Sequence, residues 1–334
     1  MTTTLVIGGT GAMGTRVVER LFRAGRGDVV VLTRDPRSAQ ALELARRGGD
    51  RLRLAAGDLT CDDDVRRALR GVDRVFCNTD FFSSRSVLTE YEQGLSVLRA
   101  ACDAGVDRFV YSSLDNAVAL TGGAIEVPHF DSKAAVAAWI GLQRSEEMMR
   151  HEHDGWYREH VSIITTSPYF ENLTLRLAPR FGDLPDGRQG YLFSLPLGRG
   201  RYPLIALDDI AWFADFMFEH WQSWGARDLA VAGDNPTGDE IAATFEAVTT
   251  VPAAYAPLPT AVVESVPDVG HDYAALARFM QHRDIVARDR DMEALRGIHP
   301  DLMNLEDWLR ATGWDGTERR AQRFPIRIGP RDAP

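Results

Sequence analysis

Residues 5–14 read LVIGGTGAMG. A short apolar run, Leu5-Val6-Ile7, ends abruptly in glycines, and Gly8, Gly11 and Gly14 stand at GxxGxxG spacing. Val17, Val18, Leu21 and Phe22 then recur at helical spacing until Gly25 stops the helix. Strand, glycine turn and helix in that order form the arrangement that receives a dinucleotide pyrophosphate. One glycine permits the tight turn, another lets the backbone approach the phosphates, and the last allows the helix to pack on the strand. The first turn of the helix offers free N–H groups and a partial positive charge. Thr10, Ala12 and Met13 complete the loop and are expected to line the same cofactor.

The same rhythm continues along the first half. Val29 to Leu32, Leu52 to Leu54, Arg74 to Cys77, Phe109 to Tyr111 and Val161 to Thr165 read as buried strands. Between them lie a helix through Asp62 to Leu69 and a long helix that carries Val87, Leu88, Tyr91, Leu95, Leu98 and Cys102 on one broad face. Strands alternating with helices predict an α/β fold, a Rossmann-type doubly wound parallel sheet covered on both faces, with right-handed crossovers. Its ligand belongs at the carboxyl ends of the strands.

After Pro168 proline and glycine become frequent, and helical patterns appear near Asp209–Trp221, Gly238–Thr249 and Tyr273–Phe279. The expected division is a nucleotide-binding domain over 1–166 and a smaller, mainly helical substrate or lid region over 167–317. That region returns Leu229–Val231 to the sheet. A tail over 318–334 docks, if at all, through Phe324 and Ile326.

The residue after the second strand selects the dinucleotide. An acid there would hold the 2′-hydroxyl of NAD. The chain instead has LTRDP, placing Arg34 where a guanidinium pairs with the 2′-phosphate of NADP(H), with Arg37 close by. Asp35 is one residue late and reads as a turn cap. After the third strand, Asp58 and Leu59 of AGDLT fall beside the adenine position; helix capping is the competing reading of Asp58.

Composition limits the alternatives. A formal charge of −10 argues against nucleic-acid binding through phosphates. No stretch is long and apolar enough to span a bilayer, no leader pattern precedes the first strand, and a cytoplasmic protein is expected. Cys61, Cys77 and Cys102 are far apart with no CxxC pair, so neither a metal centre nor a disulfide framework is indicated. His151, His153 and His160 lie in a charged, loop-like stretch and read as surface residues. Of the 38 Lys plus Arg residues, 37 are Arg; the single lysine is Lys133, in HFDSK at 129–133.

Taken together, GGTGAMG at 8, TRDP at 33, GDL at 57, YSSLDN at 111, HFDSK at 129, PYFENL at 168, SLPLG at 194 and NLEDWL at 304 resemble the NmrA-like proteins. This is an atypical branch of the short-chain dehydrogenase/reductase superfamily, and the resemblance covers roughly residues 1 to 314. It is strongest to a subgroup containing NADPH-sensing regulatory proteins; neighbouring branches are reductases of quinones, aromatic ethers and other small molecules.

The resemblance also assigns expectations to individual residues. In the best-known members of the superfamily a Tyr-x-x-x-Lys pair shares one helical face. The lysine holds the nicotinamide ribose and lowers the tyrosine pKa for proton transfer. Here Lys133 fits the lysine and His129 stands at the tyrosine position. His129 is read as a proton donor, as a hydrogen-bonding group lining the cleft, or as a satisfied core histidine; for Lys133 the competing reading is a surface lysine. Ser113 falls where the superfamily places a substrate-orienting hydroxyl. Asn78 and Thr79 match the cofactor-facing segment after strand four. Tyr169 and Asn172 are expected to face the nicotinamide end, with Tyr169 as an alternative acid. Phe81, Phe82 and Phe170 suggest a pocket for an aromatic or conjugated small molecule. The leading expectation is an NADPH-dependent reductase of a small carbonyl, enone or quinone-like substrate. The alternative is a non-catalytic NADP(H) sensor acting through a protein partner. A homodimer is compatible with either.

Overall fold

The unbroken apolar run of β1 (Thr3–Ile7) buries Leu5, Val6 and Ile7 almost completely, which suits only a central strand covered on both faces. A computed structural model of the protein describes residues 2–152, 154–175, 177–224 and 226–319. In it β1 pairs in parallel with β2 (Asp28–Thr33), which carries β3 (Leu52–Ala56) beyond it. On its other side β1 pairs with β4 (Arg74–Cys77), followed by β5 (Arg108–Ser113) and β6 (Val161–Thr165). The two-residue strand Leu229–Ala230 closes the order β3-β2-β1-β4-β5-β6 in parallel with β6, where the sequence pattern anticipates a returning strand. This is the doubly wound α/β sheet expected, reversing direction at β1.

Two units make up the chain. The first takes the residues up to Asn116, Pro128–Thr166 and Ile210–Ala230. The second takes Ala117–Val127, Ser167–Asp209 and the described residues from Val231 onward. Of the expected tail over 318–334, the residues from 320 on, including Phe324 and Ile326, lie outside the described residues, as does His153.

In the first unit, α1 (Ala12–Arg23), α2 (Ala39–Gly48), α3 (Asp62–Ala68), the single turn α4 (Phe81–Ser84) and α5 (Val87–Asp103) follow strands one to four. The short α6 (Ala117–Leu120) belongs to the second unit, and the long α7 (Pro128–Met149) to the first. The buried face of α5 keeps Leu95 and Leu98 of the expected one and packs Tyr91 and Cys102 on the core, but it is turned at the start of the helix. Val87 and Leu88 are exposed at 38% and 70%, and the stripe that packs inward runs through Glu90, Gly94, Val97, Leu98 and Ala101. Gly94 explains the rotation: a Cβ there would come within 2.7 Å of Val136 Cγ2 on α7, so the bare backbone lets the two helices close together. The other half of the explanation is that Glu90 has a cation to meet inside.

The second unit has helices, as expected, but also a three-stranded sheet the sequence reading missed. β7 (Arg180–Asp183) and β8 (Gln189–Phe193) form an antiparallel hairpin, and Ala253–Tyr255 pairs in parallel with β8. The turn uses Pro185-Asp186-Gly187, with Gly187 at φ 84°, a position that favours glycine. Helices Gly238–Thr249 and Leu305–Thr312 each begin with a capping box, Thr237 with Glu240 and Asn304 with Asp307. Trp308, on the second of these helices, stacks on Phe170, 5.5 Å apart between ring centroids.

Candidate dinucleotide-binding site

The glycine turn is built for close approach. Gly8 has φ 75°, and a Cβ on it would overlap the Asn78 carbonyl oxygen beyond β4. A Cβ on Gly14 would overlap the Gly8 carbonyl, while at Gly11 it would sit 3.2 Å from the same oxygen. Gly8 and Gly14 thus answer to packing within the protein, and Gly11, exposed with Ala12, faces outward. The turn is closed by Gly11 N–H donating to Gly8 O at 2.9 Å. Helix α1 starts at Ala12 with no side chain capping it and no acid in its first turn. Its positive end is therefore unneutralised, which fits a pyrophosphate. Thr10 is half-buried in the turn; Met13 is buried and its Sδ accepts a hydrogen bond from Ser112 Oγ at 3.4 Å, tying the turn to β5.

Arg34 follows β2 and is exposed, as is Arg37; neither forms an ion pair within 4 Å among the described residues. Asp35 caps its own turn, accepting from Arg37 N–H at 2.9 Å. Asp58 accepts from Thr60 N–H at 2.8 Å and Thr60 Oγ1 at 2.7 Å. These two bonds, and then the nearby Arg34 charge, hold its carboxyl below the usual range against the opposing effect of burial. Asp58 thus caps the turn before α3, whose own N-cap is Cys61. Leu59 is half-buried and packs against the core of the first unit. An exposed guanidinium just past the end of β2 suits an adenosine ribose carrying an extra phosphate.

Lys133 is not a surface lysine. Its ammonium, on the first turns of α7, donates to Thr79 O at 2.6 Å, Thr79 Oγ1 at 2.9 Å and Glu90 Oε1 at 2.8 Å. Three donors meet three acceptors, so the ammonium is saturated within the protein. The Thr79 hydroxyl donates in turn to Glu90 Oε1 at 2.7 Å, and Ser132 Oγ donates to Glu90 Oε2. Burial pushes the Glu90 carboxyl up, but the Lys133 charge and the bonds from Lys133, Ser132 and Thr79 outweigh it, and the net shift is downward. Tyr111, fully buried on β5, is pushed well up by burial and then by Glu90. Burial likewise pushes the Cys77 thiol up to about 12, so it is an unreactive core group.

His129 lies one helical turn before Lys133 and is 8% exposed. Its ring sits among Phe130, Phe82 and Phe81, with centroids 4.8, 5.3 and 6.2 Å away. Ser113 is buried at the end of β5 and donates to Leu114 O at 3.2 Å.

The first unit therefore brings together the glycine turn, Arg34, Asp58, Asn78, Thr79, Ser113, His129 and Lys133 at the carboxyl ends of its strands. Tyr169 and Asn172 belong to the second unit, where Tyr169 pairs with Ile205 and accepts from Asn172 N–H at 3.1 Å. Burial, then Glu171, pushes the Tyr169 phenol up, so it holds its proton tightly. The sequence reading missed Glu90 and Ser132. For Glu90 a signal existed: a carboxylate at helical spacing from Gly94, Val97, Leu98 and Ala101 stands inside an apolar stripe, which calls for a buried cation.

A parallel sheet with its glycine turn at the reversal point and an uncapped helix behind it defines a Rossmann-type protein. Within that class the chain belongs to the NmrA-like family, whose model matches residues 1–309. The NmrA-like family domain-containing oxidoreductase lnaB of Aspergillus flavus is 27% identical over 266 residues, 76% of this chain and 75% of the relative. An NAD(P)H azoreductase of Xenophilus azovorans is 30% identical over 207 residues, 62% of this chain and 60% of the relative. The fold is shared with NmrA, a negative transcriptional regulator solved in complex with NADP, at a TM-score of 0.69 and 16% identity over 94% of this chain and 98% of that one.

Proposed function

We propose that this protein is an NADPH-dependent oxidoreductase that reduces a small carbonyl, enone or quinone-like substrate. The observation that carries the reading is the glycine turn without room for side chains, followed by an uncapped helix and flanked by the exposed Arg34. The oxidoreductase names of the two curated relatives, one of them an NAD(P)H enzyme, support it.

In this reading Gly8, Gly11 and Gly14 give the pyrophosphate access to the N–H groups of Ala12 and Met13, and Thr10 borders it. Arg34, assisted by Arg37, pairs with the 2′-phosphate, and Asp58 and Leu59 flank the adenine. Asn78 and Thr79 border the cofactor beyond β4, with Lys133 beneath them. Hydride chemistry would come from the nicotinamide; the chain orients it and keeps water away. His129, in a sheath of aromatic rings, stands where a proton donor to the substrate would be needed, and those rings suit a flat or conjugated substrate. We read the protein as cytoplasmic.

A second reading is favoured by two features of the same site. Imidazole replaces the expected phenol, and Lys133 has no donor left over. Both are compatible with a non-catalytic NADP(H) sensor acting on a protein partner.

Titration with NADPH and NADH, followed by NADPH oxidation assays over a panel of quinones, enals and azo dyes, tests both. Micromolar NADPH binding, weaker NADH binding and turnover with one acceptor class are expected. Binding without turnover across the panel selects the sensor. No binding at millimolar NADPH, or a preference for NADH, overturns both.

A further inference from the structure

A continuous line of contacts leads from Glu90 to the glycine turn. Glu90 Oε1 receives the Lys133 ammonium at 2.8 Å, and that ammonium donates to the Thr79 carbonyl at 2.6 Å. Thr79 follows Asn78, whose N–H donates to Ile7 O at 3.3 Å. The Asn78 carbonyl lies against Gly8 so closely that a methyl group there would overlap it. Each link is a buried or half-buried polar contact, or a backbone contact with no slack. Motion of Thr79 is therefore passed to the turn rather than absorbed.

We propose that Glu90 is a positioning residue: through Lys133 it clamps the segment Asn78–Thr79 against Gly8 and so holds the glycine turn in the shape that a pyrophosphate needs. Lys133 thereby acts on the turn through the backbone of this segment, with its three donor contacts made to Thr79 and Glu90. The charge balance agrees. Glu90 is 0% exposed, and a carboxylate at that depth persists only with a paired cation. A compact ammonium can place its three donors on two atoms of Thr79 and one of Glu90. The planar fork of a guanidinium cannot, which accounts for a lone lysine in a chain that otherwise uses arginine. The inference rests on the cofactor reading above.

Two probes separate the possibilities. NADPH carries both ribose groups; adenosine 2′-phosphate 5′-diphosphate keeps the 2′-phosphate and the diphosphate but lacks the nicotinamide ribose. Calorimetric titration of each is to be made into the wild type, Glu90→Gln and the double variant Glu90→Gln/Lys133→Met. Both variants are expected to bind both probes more weakly, by a similar factor of roughly three to ten. The double variant leaves no unpaired charge in the interior, so it is expected to melt close to the wild type while its affinities stay low. That split between stability and affinity is one a merely structural pair would not produce. Unchanged affinity for the diphosphate probe in the folded double variant overturns the inference. So does tighter NADPH binding by Glu90→Gln with the diphosphate probe unaffected, the signature of an ammonium released onto the ribose. A wild type that binds neither probe removes the cofactor reading itself, a result distinct from either.

Discussion

Lys133 Nζ and Glu90 Oε1 meet at 2.8 Å although they stand 43 residues apart in the chain, and Glu90 is wholly buried. Two desolvated ions gain little from each other against a matched apolar pair, but each makes removal of the other costly. The pair therefore specifies how α5 and α7 meet, alongside the close packing of Gly94 on Val136.

Lys133→Ala strands the Glu90 carboxylate and is expected to destabilise the fold by about 3–5 kcal/mol. Urea denaturation without cofactor measures this. A loss under about 1 kcal/mol would mean that water reaches the pair in solution.

The same pair sets an acid limb. Glu90 titrates in the folded protein below the ordinary glutamate value of 4.5. A carboxylate depressed by folding contributes fully above its unfolded value, and the contribution is lost as pH falls through the folded one. Wild type is expected to lose stability more steeply than Glu90→Gln from about pH 4.5 downward, read from urea midpoints at successive pH values. Parallel acid limbs would argue that Glu90 is not ionised in the fold.

Gly8→Ala places a methyl group on the Asn78 carbonyl at φ 75° and is expected to cost about 1–3 kcal/mol together with at least about tenfold in NADPH affinity. Gly25→Ala makes the control, since Gly25 also has positive φ, 67°, but nothing lies within 4 Å of its added Cβ. Thermal melts and titrations of both variants separate backbone strain from steric overlap: Gly25→Ala should cost about 1 kcal/mol and leave NADPH binding intact.

Arg34→Ala is expected to weaken NADPH by about tenfold or more and to leave NADH within about twofold. Because Arg34 is exposed, the wild-type preference should also shrink as salt is raised. Equal losses for the two dinucleotides would take the 2′-phosphate away from Arg34.

His129→Phe keeps an aromatic ring against Phe82 and Phe130 and removes the ring nitrogen atoms. If His129 delivers the proton, turnover with a quinone acceptor falls by about 10² or more while NADPH affinity stays within about threefold. Turnover at the wild-type rate would leave His129 a packing residue.

The strands of the first unit were legible because their signal is local. A parallel sheet buried on both faces needs apolar runs, and Leu5–Ile7, Val29–Leu32 and, around Ser162, Val161, Ile163 and Ile164 supply them. The glycine turn was legible for the same reason, since its spacing states the backbone geometry directly. The β7–β8 hairpin was equally local, with Pro185-Asp186-Gly187 between RFGD and QGYLF, but its strands are short, β7 is mostly exposed, and neither has the apolar alternation that marks a strand. The buried face of α5 was local only in part: Leu95 and Leu98 were legible, whereas the turn of the face toward Glu90 and Gly94 was not. Its apolar residues allow two faces, and the one chosen depends on Gly94 meeting Val136 and on Glu90 meeting Lys133, partners from another helix.

By itself, then, the order of residues determined the sheet, its glycine turn and the arginine beyond the second strand, because periodicity, turn conformation and position in a βα unit are properties of short segments. Only the tertiary structure decided what the single lysine does. An ammonium takes its role from the acceptors that surround it, and those acceptors, Thr79 and Glu90, reach it from distant parts of the chain.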